Sequence, residues 1–115
     1  MDKVEAVVVR DKVEAVMDAV TEQTEHVGVT VVEAVGHGRQ PGITHEYRGR
    51  VFESRFLPKA LLVFVVEDEL AEAVVDTIVG TARTGHESGD GIVWTTPVFG
   101  VRHNRTGREL AEVEG

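Results

Sequence analysis

Two apolar runs, Val29–Val35 and Ala60–Val66, both read as strands, and residues 36–59 between them (GHGRQPGITHEYRGRVFESRFLPK) show no periodicity of their own. A hairpin needs only roughly two to five connecting residues, and an aperiodic connection this long inside a small domain is usually functional or disordered. Its length therefore predicts a segment that reaches something outside the fold. The segment carries Arg39, Arg48, Arg50 and Arg55, the acids Glu46 and Glu53, and the aromatics Tyr47 and Phe52. Gly36 and Gly38 at its base remove Cβ atoms where a ligand or another backbone must approach closely.

The rest of the chain has ordinary periodicity. Lys3–Val9 alternates as a strand. Asp11 reads as an N-cap for an amphipathic helix over Lys12–Glu25, with Val13, Val16, Met17 and Val20 at helical spacing. Glu67, Asp68 and Glu69 sit where a helix dipole favours negative charge, and Leu70, Val74, Ile78 and Val79 form the apolar stripe of a helix ending near Arg83. Thr84–Gly91 is a Gly-rich turn. Ile92–Val101 reads as a last strand, irregular at Pro97 and Gly100, and residues 105–115 form a polar tail, either a short helix or disordered. The order β-α-β-β-α-β predicts an α+β, ferredoxin-like domain over 1–115, with two helices on one face of an antiparallel four-stranded sheet. Apolar strand residues left on the other face predict self-association.

The net charge of −8 argues against a general nucleic-acid or anionic-membrane surface. The acids lie mainly on the helical segments and the tail, and the arginines gather in 36–59 and in Arg102–Arg108, a distribution that suits a small anionic ligand. Without cysteines there is no disulfide framework and no thiolate metal site, and the charged N-terminal strand with no apolar h-region predicts a cytoplasmic protein. No Ser-His-Asp-like or paired-carboxylate arrangement is brought together by the sequence, which argues against an enzyme. A small enzyme or metal-binding protein built on His37, His45 and Glu46 stands as the alternative from another class.

In order and spacing, the motifs GHGRQ, YRG and FLPK, followed by TARTG, GDG and RTG, resemble the PII signal-transduction protein family over essentially the whole chain. The resemblance implies a homotrimer of ferredoxin-like subunits that binds ATP or ADP in the clefts between subunits. It also implies a T-loop, here 36–59, that controls a transporter or enzyme, mostly in nitrogen regulation. Carried over by position, Gly36, Gly38, Arg39 and Gln40 form the nucleotide-side base of that loop, and Thr30 and Val65 line the adenine pocket. Gly89, Asp90 and Gly91 belong to the phosphate-wrapping B-loop (84–91), and Arg105 is a phosphate cation from the neighbouring subunit. Gln40 and Lys59 match the residues that hold 2-oxoglutarate together with Mg-ATP. Tyr47, Arg48, Arg50 and Phe52 belong to the partner-binding loop. No prosthetic group is implied.

Departures from the family pattern shape the expected ligand. Ile92 follows Gly89-Asp90-Gly91 where the family has a basic residue, and His103 stands where it has its first C-terminal phosphate arginine. Each lost charge-assisted contact weakens phosphate binding by roughly 1.5–3 kcal/mol. ADP, AMP or a cyclic nucleotide should therefore suffer less than ATP, and a bicarbonate or adenine-nucleotide sensor acting in carbon metabolism is the second reading. Phe52 replaces the tyrosine that many members nucleotidylate, which implies control by ligand alone. Taken by itself, the Gly89–Gly91 turn reads first as an αL connection into the last strand. Its phosphate reading rests on backbone N–H groups forming an anion nest that Arg105 and Lys59 would complete.

Overall fold

The computed structural model describes residues 1–24, 27–37, 44–47, 50–53, 56–86 and 89–110, with only the backbone described for 44–47 and 50–53. Strand β1 (Asp2–Val9) runs through a 3₁₀ turn (Arg10–Lys12) into helix α1 (Val13–Thr24). Strand β2 (Thr30–His37), a two-stranded ribbon of β3 (Thr44–Tyr47) and β4 (Arg50–Glu53), and the long β5 (Phe56–Val66) follow. Helix α2 (Asp68–Ala82) and β6 (Ile92–Pro97) complete the domain. The main sheet has the order β2-β5-β1-β6 with every neighbouring pair antiparallel, the predicted ferredoxin-like plan.

Period-two alternation explains which face is covered. Val4, Ala6 and Val8 of β1 and Leu62, Phe64 and Val66 of β5 point to the helices and are buried. There they meet Val16 and Val20 of α1 and Ala71, Val74, Ile78 and Ala82 of α2 in one cluster. Burying each of the larger side chains contributes about 1.5–3 kcal/mol. On the opposite face the register aligns Val32, Leu61, Val7 and Ile92 in one row and Thr30, Val63, Glu5 and Trp94 in the next. Val32 (47% exposed), Ile92 (69%) and Trp94 (37%) make this an open apolar face. Among the described residues no helix is long and apolar enough to cross a membrane.

Several boundaries differ from expectation. Residues 36–59 are not one aperiodic loop: Gly36 and His37 extend β2, Phe56–Lys59 extend β5, and a ribbon pairs Thr44 with Glu53 and Tyr47 with Arg50. The β2–β5 ladder continues because extending an existing antiparallel pair satisfies successive backbone groups without a new nucleus. Asp11 lies inside the 3₁₀ turn rather than before it, and neither Val9 nor Glu67 at the helix entries makes a side-chain cap. Val79 is 39% exposed, and Ala71 and Ala82 take the core positions in its place. The last strand stops at Pro97 rather than Val101. Beyond it residues 101–110 turn back on themselves: Arg102 bridges to Glu109, the His103 amide donates to the Arg108 carbonyl (2.9 Å), and the Leu110 amide donates to the Val101 carbonyl (2.7 Å). Gly107, at φ +71°, allows the reversal. Residues 111–115 lie outside the described residues.

Candidate functional site

At one end of the sheet the backbone leaves β1, enters β5 and approaches β6, so three segments distant in sequence converge there. Lys59 is the centre of this region. Its side chain is buried (7% exposed), and its ammonium donates to the carbonyl oxygen of Gly89. Its stem runs across Gly36, where a Cβ would lie 2.8 Å from Lys59 Cγ and 3.0 Å from Cε. Gly36 is therefore the slot that the lysine occupies. Burial pushes the Lys59 ammonium below its ordinary value, and the Asp90 carboxylate works in the opposite direction.

The 84–91 turn is held by its own residues. The Thr84 hydroxyl donates to Asp90 Oδ1, and the Thr84 amide donates to the same oxygen at 3.2 Å. The hydroxyl then accepts from the His86 amide at 3.2 Å. The Thr84 hydroxyl chiefly holds the Asp90 carboxyl below the usual carboxylate range, assisted by the Thr84 amide, His86 and Lys59, while desolvation opposes them. Gly89 (φ +87°) and Gly91 (φ +93°) take left-handed conformations. An αL connection into β6 and an anion nest both require such a backbone.

Arg10 was not singled out by the sequence reading, yet it ties this end together. Its Nη2 donates to the carbonyls of Ala34 (2.9 Å) and Lys59 (3.3 Å), bracing β2 against β5 next to Lys59. A cation directly after a strand that ends beside two functional loops was the available signal. Thr84 was also missed; a Thr and an Asp flanking a Gly-rich turn are the local-bonding pair that could have revealed it. A cavity of about 330 Å³ opens beside these groups, lined by Val9, Arg10, Asp11, Lys12, Leu57, Pro58, Thr84 and His86.

The other expected residues stand elsewhere. Thr30 pairs with Val63, and Val65 lies opposite Lys3 on the open face. Lys59 and Val65 are thus near opposite ends of β5, about 20 Å apart at about 3.3 Å per residue. Arg105 is exposed in the C-terminal turn, and His103 is half-buried with its Nε2 buried and unpartnered among the described residues. Ile92 is open to solvent directly after Gly91. Gly38, Arg39, Gln40 and Arg48 lie outside the described residues. Tyr47, Arg50 and Phe52 are placed by backbone alone, on the β3–β4 ribbon. Of the alternative metal set, His37 ends β2 with its ring tilted on Phe56 at 5.2 Å, and the side chains of His45 and Glu46 lie outside the described residues. Among the described residues no cluster of three or more His, Asp or Glu side chains could hold a metal.

An antiparallel β2-β5-β1-β6 sheet with two helices on one face, a long excursion between β2 and β5, and a glycine-flanked turn meeting a buried lysine define a small ferredoxin-like domain. The family described as "Nitrogen regulatory protein P-II" matches residues 1–108, and the chain belongs to that family. It is 43% identical to the nitrogen regulatory protein P-II of Microchaete diplosiphon over 112 residues, covering 97% of this chain and 98% of the relative. Its identity to nitrogen regulatory protein P-II 1 of Escherichia coli is 40% over 109 residues, covering 95% and 96% respectively.

Proposed function

We propose that this chain is a non-catalytic regulator that forms a homotrimer, holds an adenine nucleotide between neighbouring copies, and controls a transporter or metabolic enzyme through residues 36–59. The observation that carries this reading is the separation within one chain of the expected site residues. Thr30 and Val65 lie at the end of the sheet away from Gly89, Asp90 and Gly91, and one small ligand cannot touch both groups in a single copy. Two copies joined through the open face would bring one copy's Thr30, Val65, His103 and Arg105 against the other's Gly36 and glycine turn.

In this reading the nucleotide is ADP or AMP at least as readily as ATP. Ile92 supplies no charge, and of the C-terminal cations in the family pattern only Arg105 remains. Mg accompanies ATP where ATP binds, and 2-oxoglutarate reaches Gln40 and Lys59. Tyr47, Arg48, Arg50 and Phe52 then meet the partner. Regulation follows ligand occupancy alone because Phe52 has no hydroxyl to modify. The protein works in the cytoplasm, in nitrogen regulation. Calorimetry with ADP, AMP and Mg-ATP, paired with light scattering, tests the proposal. A trimer that binds ADP is expected; a monomer, or a trimer that binds none of the three at millimolar concentration, overturns it.

A further inference from the structure

Where the C-terminal half of α2 passes over β1 and β6, the helix layer leaves a cavity of about 150 Å³. Val8 and Val93 of the strands and Ile78, Val79 and Ala82 of the helix give it apolar walls, and Val79 is 39% exposed at its mouth. Two charged side chains complete the lining, Arg83 and Asp90. Arg83 is exposed directly after the last residue of α2 and makes no ion pair among the described residues. Thr84 binds Asp90 through Oδ1, and the carboxylate has a second oxygen to offer a donor.

Each part selects a chemical group. A cavity of roughly 150 Å³ lined by aliphatic side chains can hold a molecule the size of benzene, so this one has room for a branched aliphatic side chain. A guanidinium matches a carboxylate, with two parallel N–H donors for its two oxygens. The Asp90 carboxylate matches an ammonium, and the final carbonyls of α2, which lack intrahelical partners and carry the negative end of the helix dipole, favour the same positive charge. A ligand of one sign would meet repulsion from one of the two charged walls. The geometry points to a site for a free branched-chain α-amino acid, with its side chain between α2 and β6, its carboxylate on Arg83 and its ammonium on Asp90. The cavity lies within one copy, in the helix layer across the sheet from Thr30 and Val65, so it needs neither nucleotide nor assembly. Asp90 is shared with the glycine-flanked turn, so the amino acid draws on the carboxylate that holds that turn.

Methyl resonances of nucleotide-free protein test this. L-Leucine at millimolar concentration is expected to shift those of Val8, Ile78, Val79 and Val93 and to leave Val16, under the other helix, in place. 4-Methylpentanoate lacks the ammonium and 3-methylbutylamine lacks the carboxylate; each is expected to bind about tenfold or more weakly than leucine, through the loss of one charge-assisted contact. Arg83→Gln, at an exposed position, is expected to weaken leucine by the same factor with Tm unchanged, and Val79→Phe to block the cavity. The site is overturned by the absence of leucine-induced shifts, by shifts confined to other residues, by equal binding of either truncated analogue, or by unchanged leucine affinity in Arg83→Gln. A chain that binds leucine but no nucleotide would refute the proposed function alone, and one that binds nucleotide but no leucine would refute this site alone.

Discussion

A Cβ atom built on Gly91 would lie 1.7 Å from the carbonyl oxygen of Val7. The turn before β6 is pressed against the backbone of β1, and Gly91 also stands at φ +93°. Any side chain there forces the backbone of one strand or the other to move. Gly91→Ala is expected to lower stability by about 3 kcal/mol or more, as measured by urea denaturation. A loss under about 1 kcal/mol would mean that the turn relaxes freely and that the close approach is not a constraint.

The Thr84–Asp90 clamp has a defined acid limit. The Asp90 carboxyl is held below its ordinary 3.8, chiefly by the Thr84 hydroxyl. A carboxyl depressed in the fold contributes stability that is present above its unfolded value and lost as pH falls through the folded value. The Thr84 amide resonance should therefore stay constant from neutral pH down to about pH 4 and move only below it. Asp90→Asn should abolish that acid transition. A transition centred above pH 4 in the wild type would contradict the clamp.

Lys59 gives the opposite limb. Its ammonium is depressed below 10.5 by burial, so between the folded and unfolded values the unfolded chain binds more protons and stability rises with pH. Relative to Lys59→Met, the wild type should gain stability as pH is raised on the alkaline side toward the ordinary lysine value of 10.5. Parallel pH dependence in the two proteins, followed by denaturant midpoint, would show that the lysine is not desolvated in solution.

The open face should be covered by further copies of the chain. Trp94, the single tryptophan, lies on that face and donates its indole N–H to Glu5 at 3.2 Å. Val63→Glu puts a charge at the centre of the same face, and each isolated charge buried without a partner costs several kcal/mol. The variant is expected to be monomeric by light scattering, with Trp94 emission shifted to the red. A Val63→Glu trimer would place the assembly surface elsewhere.

Nucleotide preference should follow the cations. Arg105→Ala is expected to weaken ADP binding by roughly tenfold or more in calorimetry, as the loss of one charge-assisted contact implies. Restoring the family's pattern with Ile92→Lys and His103→Arg should favour ATP over ADP. If Arg105→Ala leaves every nucleotide unaffected, Arg105 does not touch phosphate.

The order of the elements, the helix-facing stripe and the glycine-flanked turn were legible in the sequence because each is a local pattern. Alternation places Val4, Ala6 and Val8 on one face, helical spacing places Val16 and Val20 together, and left-handed geometry demands glycine at Gly89 and Gly91. Ribbon pairing within 36–59 was not legible, because Thr44–Tyr47 and Arg50–Glu53 carry no alternating apolar signal and hold together through backbone bonds that any sequence can make. The meeting of Lys59 with Gly89, the slot at Gly36 and the brace from Arg10 were decided by tertiary structure alone. They depend on which strand ends the register of β1, β2 and β5 brings together, and on a close approach that only the absence of a Cβ allows. Sequence determined which residue types were present at the site. The three-dimensional fold decided that a buried lysine would meet the Gly89 carbonyl, because only packing can take a charge out of water and set it against a particular backbone group.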